Sequence, residues 1–417
     1  MNSKEKKSIF ISLSPNVSKD DLNLAKSLFF SSKKNTRKEG LEILRDKMRE
    51  ITGITNCFLF NSGRSAFYTI LKSLNYSLGD EIIVPGFTCN VLINPIISLG
   101  LRPVYVDIDE NTLNVNLEDL KEKITSNTKA VVIQHTFGLP DNVLEISKIC
   151  KENNIDLIED CAHCLGAKIE NKSVGSFSKA SFFSFGRDKI ASSVFGGVLM
   201  TNDDVLAEKI EQIYNKLPEC SWFWIKQQLL HPILTEKLIK PLYGIGGFGK
   251  YPLIVLQKLH IISKGVSDKE KRGEFDINFV KKMPISLSLL ALNQLEKLEE
   301  SNNHRRKIAE IYYQELKGKA VLTSNNPGRV FMRFPIIVEK ETDNILLSLR
   351  KQQIFLDDGW RKRNIVPPDT DSSKLGYVKG TCPKAEYVAK HIINLPTSIN
   401  IDLEDAKTIS SELKKLI

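Results

Sequence analysis

The chain has 417 residues, 41% of them hydrophobic, with 59 Lys and Arg against 50 Asp and Glu for a net charge of +9. That exceeds the usual size of one domain and supplies enough apolar residues for a substantial core. The basic residues are scattered and lack interleaved aromatics, which argues against a nucleic-acid partner and leaves an anionic small substrate compatible. The start, MNSKEKKSIFISLSPN, holds no apolar stretch long enough for a signal peptide, and no run approaches the roughly 20 apolar residues of a membrane span. A soluble, cytoplasmic protein is expected. Seven cysteines, an odd number spread over a long chain, fit a reducing compartment. Cys161 and Cys164 form a C-x-x-C with no second pair at metal-site spacing, so no metal is expected.

In chain order, short apolar runs alternate with helical patterns through the first half. Cys57–Phe60, Glu81–Val84, Val104–Val106, Ala130–Gln134 and Asp156–Glu159 read as strands, with helices such as Ser65–Leu74 and Leu117–Ile124 between them. This is the pattern of an α/β protein with a mostly parallel sheet. Two further strands, Ala180–Phe185 and Gly197–Thr201, flank a polar loop that contains Lys189. From about residue 206 to 263 the sequence turns helical, aromatic and basic, as an insertion would. Leu289–Leu316 reads as a helix broken near Ser301–Asn303. Strand-like Val330–Val338, helix-like Asn344–Gln352 and a last helix near Leu403–Leu416 complete a small α+β domain. The expected division is a large domain over 1–300, carrying the N-terminal segment and the 206–263 insertion, and a small one over 301–417.

Ligands of open α/β sheets gather at the carboxyl ends of the strands. There IDLIEDCAHCLGA sets Asp160 at a strand end with His163 three residues on. Taken alone, such an aspartate is a helix cap or half of a structural ion pair. In FFSFGRDKIASSVFGGVLM, Ser184 and Lys189 lie five apart in a short loop flanked by aromatics and closed by Gly196–Gly197, which should hold the lysine close to the sheet. Upstream, FNSGRSAFYTIL places Ser62, Gly63 and Arg64 between a strand and a helix start. Free N–H groups and the helix dipole make such a turn an anion cradle, although Ser-Gly there is also ordinary turn chemistry. Arg64 adds a charge able to pair a phosphate bidentately.

An anion cradle, a strand-end Asp with a nearby His, and a Ser-x4-Lys loop, in this order, resemble the DegT/DnrJ/StrS family of pyridoxal-phosphate-dependent sugar aminotransferases. The likeness runs from about Asn61 to Asp203, through GDEIIVPGFT, PVYVDIDENTLNV and TKAVVIQHTFGLPDNV, and resumes at NQLEKLEESNNHRRKIAEIYYQEL and PKAEYVAKHIINLPTSINI. The resemblance implies PLP fold type I, pyridoxal 5'-phosphate as cofactor and a homodimer. It makes Lys189 the Schiff-base lysine, Asp160 the partner of the pyridine nitrogen and His163 the contact of the ring hydroxyl. Ser184 and the Ser62–Gly63–Arg64 turn would hold the phosphate. It further implies transfer of nitrogen from an amino acid, usually L-glutamate, to a keto sugar, nucleotide-diphosphate-linked, for surface polysaccharide or other amino-sugar biosynthesis. The related sugar dehydratases replace the lysine with histidine, which this chain does not. A rival of another class is a catalytically silent relative that binds the cofactor or a sugar nucleotide as a sensor or scaffold.

Three positions depart from the family pattern. Arg64 stands where Thr is commoner, Cys89 replaces an aromatic residue over the cofactor ring, and KKMPISLSLLAL stands for the usual Asn-x-Arg-Met stretch. Arg64 is therefore a candidate to replace a lost phosphate contact. GIGGFGK at Gly244–Lys250 nearly spells a P-loop but is followed by Tyr251 and preceded by a helical pattern, so a connector is expected. The insertion, with Trp222, Trp224, Lys226, Lys237, Lys240 and Lys250, reads as a lid or dimer face in preference to a membrane-surface contact. The run Trp360, Arg361, Lys362, Arg363 reads as solvated charge, with contact to an anionic substrate as the alternative.

Overall fold

The computed structural model describes residues 7–31, 39–140, 142–245 and 247–417. Its centre is a seven-stranded sheet made of β1 (Asn56–Phe60), β2 (Glu81–Pro85), β3 (Arg102–Val106), β4 (Thr128–Gln134), β5 (Asp156–Asp160), β6 (Ala180–Ser184) and β7 (Gly197–Thr201). The spatial order is β1-β7-β6-β5-β4-β2-β3. β3, β2, β4, β5 and β6 pair parallel. β7 runs antiparallel to both of its neighbours, so β1 points the same way as β6. Six carboxyl ends thus share one edge with the amino end of β7.

The strands read as nearly unbroken apolar runs because both faces are covered. Ile82, Val84, Ala130, Val132 and Ile158 face the largest core, whereas Ile83, Val131, Ile133 and Leu157 alternate into a second one with Val143 and Ile146. The seven strands expected for this sheet all form: the first five gain one or two residues at an end, Ala180–Phe185 stops at Ser184, and Gly197–Thr201 forms as expected. Gly63–Leu74 is α1, opened by Ser62, whose side chain accepts the Ser65 N–H. That is an ordinary N-cap.

Further along, Asp204–Asn215 is α2, Trp222–Leu234 is α3 and Lys250–Lys258 is α4, so the insertion is helical as expected. The Gly244–Lys250 stretch joins two helices and follows no strand, as a connector would; Gly246 lies outside the described residues. The next two helices, α5 (Ile285–Leu295) and α6 (Leu298–Leu316), correct the expected break. It falls at Glu296–Lys297, and Ser301–Asn303 lies inside α6. Asn302 looked like a breaker, but its side chain is fully buried and its amide donates to the Leu165 carbonyl, a tertiary bond made from within the helix.

A three-stranded antiparallel sheet, β8 (Val321–Leu322), β9 (Phe334–Ile337) and β10 (Ile392–Leu395), packs with α6 and α7 (Leu403–Lys414) around a separate core. Ile9 and Ile11 of the N-terminal segment join that core, and Ile9–Phe10 pairs parallel with Ile354–Phe355. The strand expected over Val330–Val338 forms only from Phe334. Residues 330–332 instead turn aside, the Val330 and Met332 N–H groups donating to Gly138 and Phe137. That detour carries Arg333 to the edge of the large sheet.

Candidate active site

A cavity of about 270 Å3 opens at the shared strand edge. Ser62, Gly63, Arg64, Cys89, Asp160, His163, Ser184 and Lys189 all line it, so the structure brings together every residue of the expected cofactor site. Register explains the convergence. Ser184 lies opposite Gly197, Gly197 opposite Phe60, and Phe182 opposite Asp160. The turn after β1 is therefore laid beside Ser184, and Asp160 sits one strand further on.

The glycines of this corner are sterically required. A Cβ at Gly197 would stand 2.2 Å from the Ser62 carbonyl carbon and 2.4 Å from the Gly63 nitrogen, and one at Gly63 would stand 3.1 Å from Ser184 Cβ. Their absence lets the α1 amino end lie directly against Ser184. The result is a cradle of backbone N–H groups and hydroxyls suited to an anion.

Arg64 differs from its expected role. One guanidinium nitrogen pairs with Glu270, another donates to the Gly265 carbonyl, and the group lies over the Phe279 ring. A carboxylate already neutralises it, so its side chain is not open for a bidentate phosphate contact. What it offers the cradle is its backbone N–H at the start of α1.

The Lys189 loop is tightly tied. Phe185 N–H donates to Gly196, Ser193 N–H to Phe185 and Lys189 N–H to Gly186. Asn16 Nδ2 donates to the Lys189 carbonyl at 2.5 Å, and Arg305 Nη2 donates both to Asn16 Oδ1 at 2.7 Å and to the Ile190 carbonyl at 3.1 Å. Burial brings the Lys189 amine down to about 8. The Asp160 carboxylate opposes that fall and the Arg333 charge adds to it. Asp160 accepts the Ala162 N–H at 2.9 Å; burial pushes its carboxyl up to about 6, against the pull of that bond and of Lys189. At neutral pH this is a carboxylate beside a lysine whose charge is held weakly.

His163 lies parallel to the Phe137 ring with centroids 5.7 Å apart, and its ring and that of Trp360 meet edge to face with centroids 4.9 Å apart. Its Nδ1 accepts the Phe137 N–H at 3.4 Å. Burial, with the Lys189 and Arg333 charges, holds it well below its usual value. It is therefore a neutral imidazole with its proton on Nε2, free to donate. Beneath Asp160, Cys161 and Cys164 meet His135, three buried donors within 4.8 Å of one another, a grouping the spacing of the cysteines did not reveal. His135 is engaged by Glu159 at 3.1 Å.

The run at Trp360 corrects the expectation of solvated charge. Trp360 is buried in the cavity wall, and Arg361 is buried and paired with Asp343 and Asp357; only Lys362 and Arg363 face solvent. Arg333, which sequence reasoning missed, also lines the cavity. It is 4% exposed, with Nη1 2.7 Å from Asp358 Oδ2. Asp358 is braced by the Trp360 N–H and the Asn394 amide. The usable signal was a lone arginine within the apolar run VFMRFPII, because a charge buried there needs a purpose or a partner.

The chain matches the DegT/DnrJ/EryC1/StrS aminotransferase family over residues 19–219 and 255–414. It is 29% identical to the GDP-perosamine synthase of Vibrio cholerae over 362 residues, covering 85% of this chain and 82% of that protein. It is 26% identical to the dTDP-3-amino-3,6-dideoxy-alpha-D-galactopyranose transaminase of Aneurinibacillus thermoaerophilus, over 87% and 86% of the two chains. Among solved structures it shares its fold with PseC of Helicobacter pylori, an aminotransferase involved in pseudoaminic acid biosynthesis. The TM-score is 0.71 at 21% identity, with 98% of this chain and 99% of that one covered.

Proposed function

The chain belongs to the DegT/DnrJ/EryC1/StrS aminotransferase family, a pyridoxal-phosphate-dependent transaminase on an α/β fold with a mostly parallel sheet, and from that premise we propose its substrates and the work of its residues. It transfers an amino group from an amino acid such as L-glutamate to a keto sugar carried by a nucleoside diphosphate, for amino-sugar biosynthesis. The relatives named above carry nucleotide-sugar names, which supports that substrate class. A homodimer is the assembly this reading expects.

The cavity suits the cofactor. It offers a cradle whose shape depends on the missing Cβ of Gly197, a buried carboxylate and a weakly charged amine. The Ser62–Gly63–Arg64 turn and the Ser184 hydroxyl would hold the phosphate, Asp160 the pyridine nitrogen and His163 Nε2–H the ring oxygen. When bound, pyridoxal phosphate supplies a carbonyl that condenses with amines and a ring that takes up the electrons of a broken Cα–H bond. Asp160, ionised above about pH 6, would keep a proton on the ring nitrogen. Lys189 would anchor the cofactor through its amine, and as a free amine it is basic enough to hold a proton taken from the donor's Cα and to return it on the far side of the transferred nitrogen. Cys89 lies in the cavity wall. Arg333, fixed by Asp358, is the cationic fork for the donor's carboxylate.

The observation that carries this reading is the Lys189 amine, held in a cavity with Asp160 and the anion cradle in the family's chain order. Purified protein should show the visible absorbance of lysine-bound cofactor, shifted by L-glutamate with release of one 2-oxo acid per site. Lys189→Ala should lose about 10²–10⁴-fold of that reaction. A coloured protein that no amino acid alters would refute transamination and favour a sensor.

A further inference from the structure

We propose that the outer face of α3 and α4 docks this protein on an anionic membrane surface. The family match lapses over 220–254, so most of this face is an addition to the shared fold. Its inner side covers the catalytic cavity: Trp224 packs edge-on against Phe195 with centroids 5.5 Å apart, and Phe195 lines the cavity. Its outer side is a different surface.

α4 contains no buried residue. Tyr251, Ile254, Val255 and Leu259 recur at helical spacing and are 65%, 37%, 52% and 63% exposed. A surface helix normally turns such a stripe inward. The Gln227 amide donates to the His260 carbonyl at 2.6 Å, which ties the end of α4 to α3. One turn before Gln227 on the same helix, Trp222 and Phe223 are 44% and 70% exposed. The 222–259 segment thus leaves apolar groups on the surface at both of these helices.

Charge selects the occupant. Residues 216–264 hold seven lysines and two glutamates; Lys240 pairs with Glu236 and Lys264 with Asp268, which leaves five lysines and one glutamate outside these two pairs. Lys250 and Lys258 are exposed beside the α4 stripe. Interface cores between protein copies are depleted in lysine, and two such faces brought together would repel. Aromatic and aliphatic groups ringed by lysine are the composition of helices that lie in the headgroup region of a bilayer. Among the described residues no helix is long and apolar enough to cross a membrane, so the contact is peripheral.

Holoenzyme sedimented with phosphatidylcholine vesicles, with and without phosphatidylglycerol, tests this. We expect binding to the anionic vesicles only, weakened by salt. The Lys250→Glu/Lys258→Glu variant should bind at least about fivefold more weakly per lysine. Trp222→Ser/Phe223→Ser should also lose binding, and both variants should keep the wild-type reaction with L-glutamate in the absence of lipid. No binding to anionic vesicles, or equal binding to neutral ones, would overturn the proposal. So would a solution dimer that these substitutions split, since the face would then belong to a second copy.

Discussion

Lys189 and Asp160 share one electrostatic problem, since burial is the largest perturbation on each and each partly relieves the other. The lysine bears its charge below about pH 8 and loses it above, where an ordinary lysine would wait until 10.5. Only the neutral amine attacks a carbonyl. The rate at which apo-protein captures pyridoxal phosphate should therefore rise with pH and flatten just above 8. In Asp160→Asn the stabilising carboxylate is gone and the plateau should begin at lower pH. A stopped-flow pH profile that keeps climbing to 10 would mean that the amine is not desolvated. Arg333 carries a second expectation. Arg333→Lys keeps the charge beside Asp358 but loses the fork, so half-saturation with L-glutamate should move up on the order of tenfold, as for one charge-assisted hydrogen bond. The maximal rate should change little. At this scale the sequence was informative where residues are close along the chain: Asp160, His163, Ser184 and Lys189 fall within thirty positions and keep their order. Arg333, Asp358, Asn16 and Arg305 reach the same place through packing, which spacing does not encode. Arg64 shows the converse, a residue that lines the cavity as expected but whose side chain is claimed by Glu270, 206 positions away.

Strands and helices were legible for a related reason. Seven apolar runs bounded by turns specify seven strands, because a sheet covered on both faces leaves no alternation to misread. The failures lie where tertiary bonds override local preference. Asn302 stays helical because Leu165 accepts its amide, and residues 330–332 leave the strand pattern to bond the Phe137–Gly138 turn. The abutment of β7 on α1 gives a prediction belonging to these elements. A methyl group at Gly197 would overlap the Ser62 carbonyl, so Gly197→Ala must push the cradle aside. Overpacking of this sort costs about 1–3 kcal/mol. Cofactor should leave the variant much faster on dialysis even where it remains folded. Gly265, whose added Cβ would meet nothing within 4 Å, is the control, and Gly265→Ala should stay within about 0.5 kcal/mol of wild type. Equal cofactor retention in the two variants would show that the close approach is not what shapes the cradle.

The molecule as a whole places its chemistry where two cores meet. Asp160, His163 and Lys189 come from the strand end and loops of the large sheet, while Arg333 precedes β9 and Asp358 and Trp360 follow the Ile354–Phe355 strand. The N-terminal segment crosses between them, with Ile9 and Ile11 in the second core and Asn16 beneath the Lys189 loop. Arg305 of α6 completes that junction. It is 1% exposed; among the described residues its Nε and Nη1 have no hydrogen-bond partner, and Asn16 accepts one of its two hydrogen bonds. Asn16→Ala would remove both the support of the Lys189 carbonyl and half of the hydrogen bonding of a buried guanidinium. A buried group left unsatisfied costs about 1–3 kcal/mol, and more when charged. The variant should therefore unfold at clearly lower denaturant concentration. It should also release cofactor faster, because the Lys189 backbone loses its tether. Lys407→Ala, which breaks an exposed i,i+3 pair with Glu404, should shift the midpoint by no more than about 0.5 kcal/mol. If Asn16→Ala were as silent as Lys407→Ala, the N-terminal segment would not be coupling the two cores at the catalytic lysine.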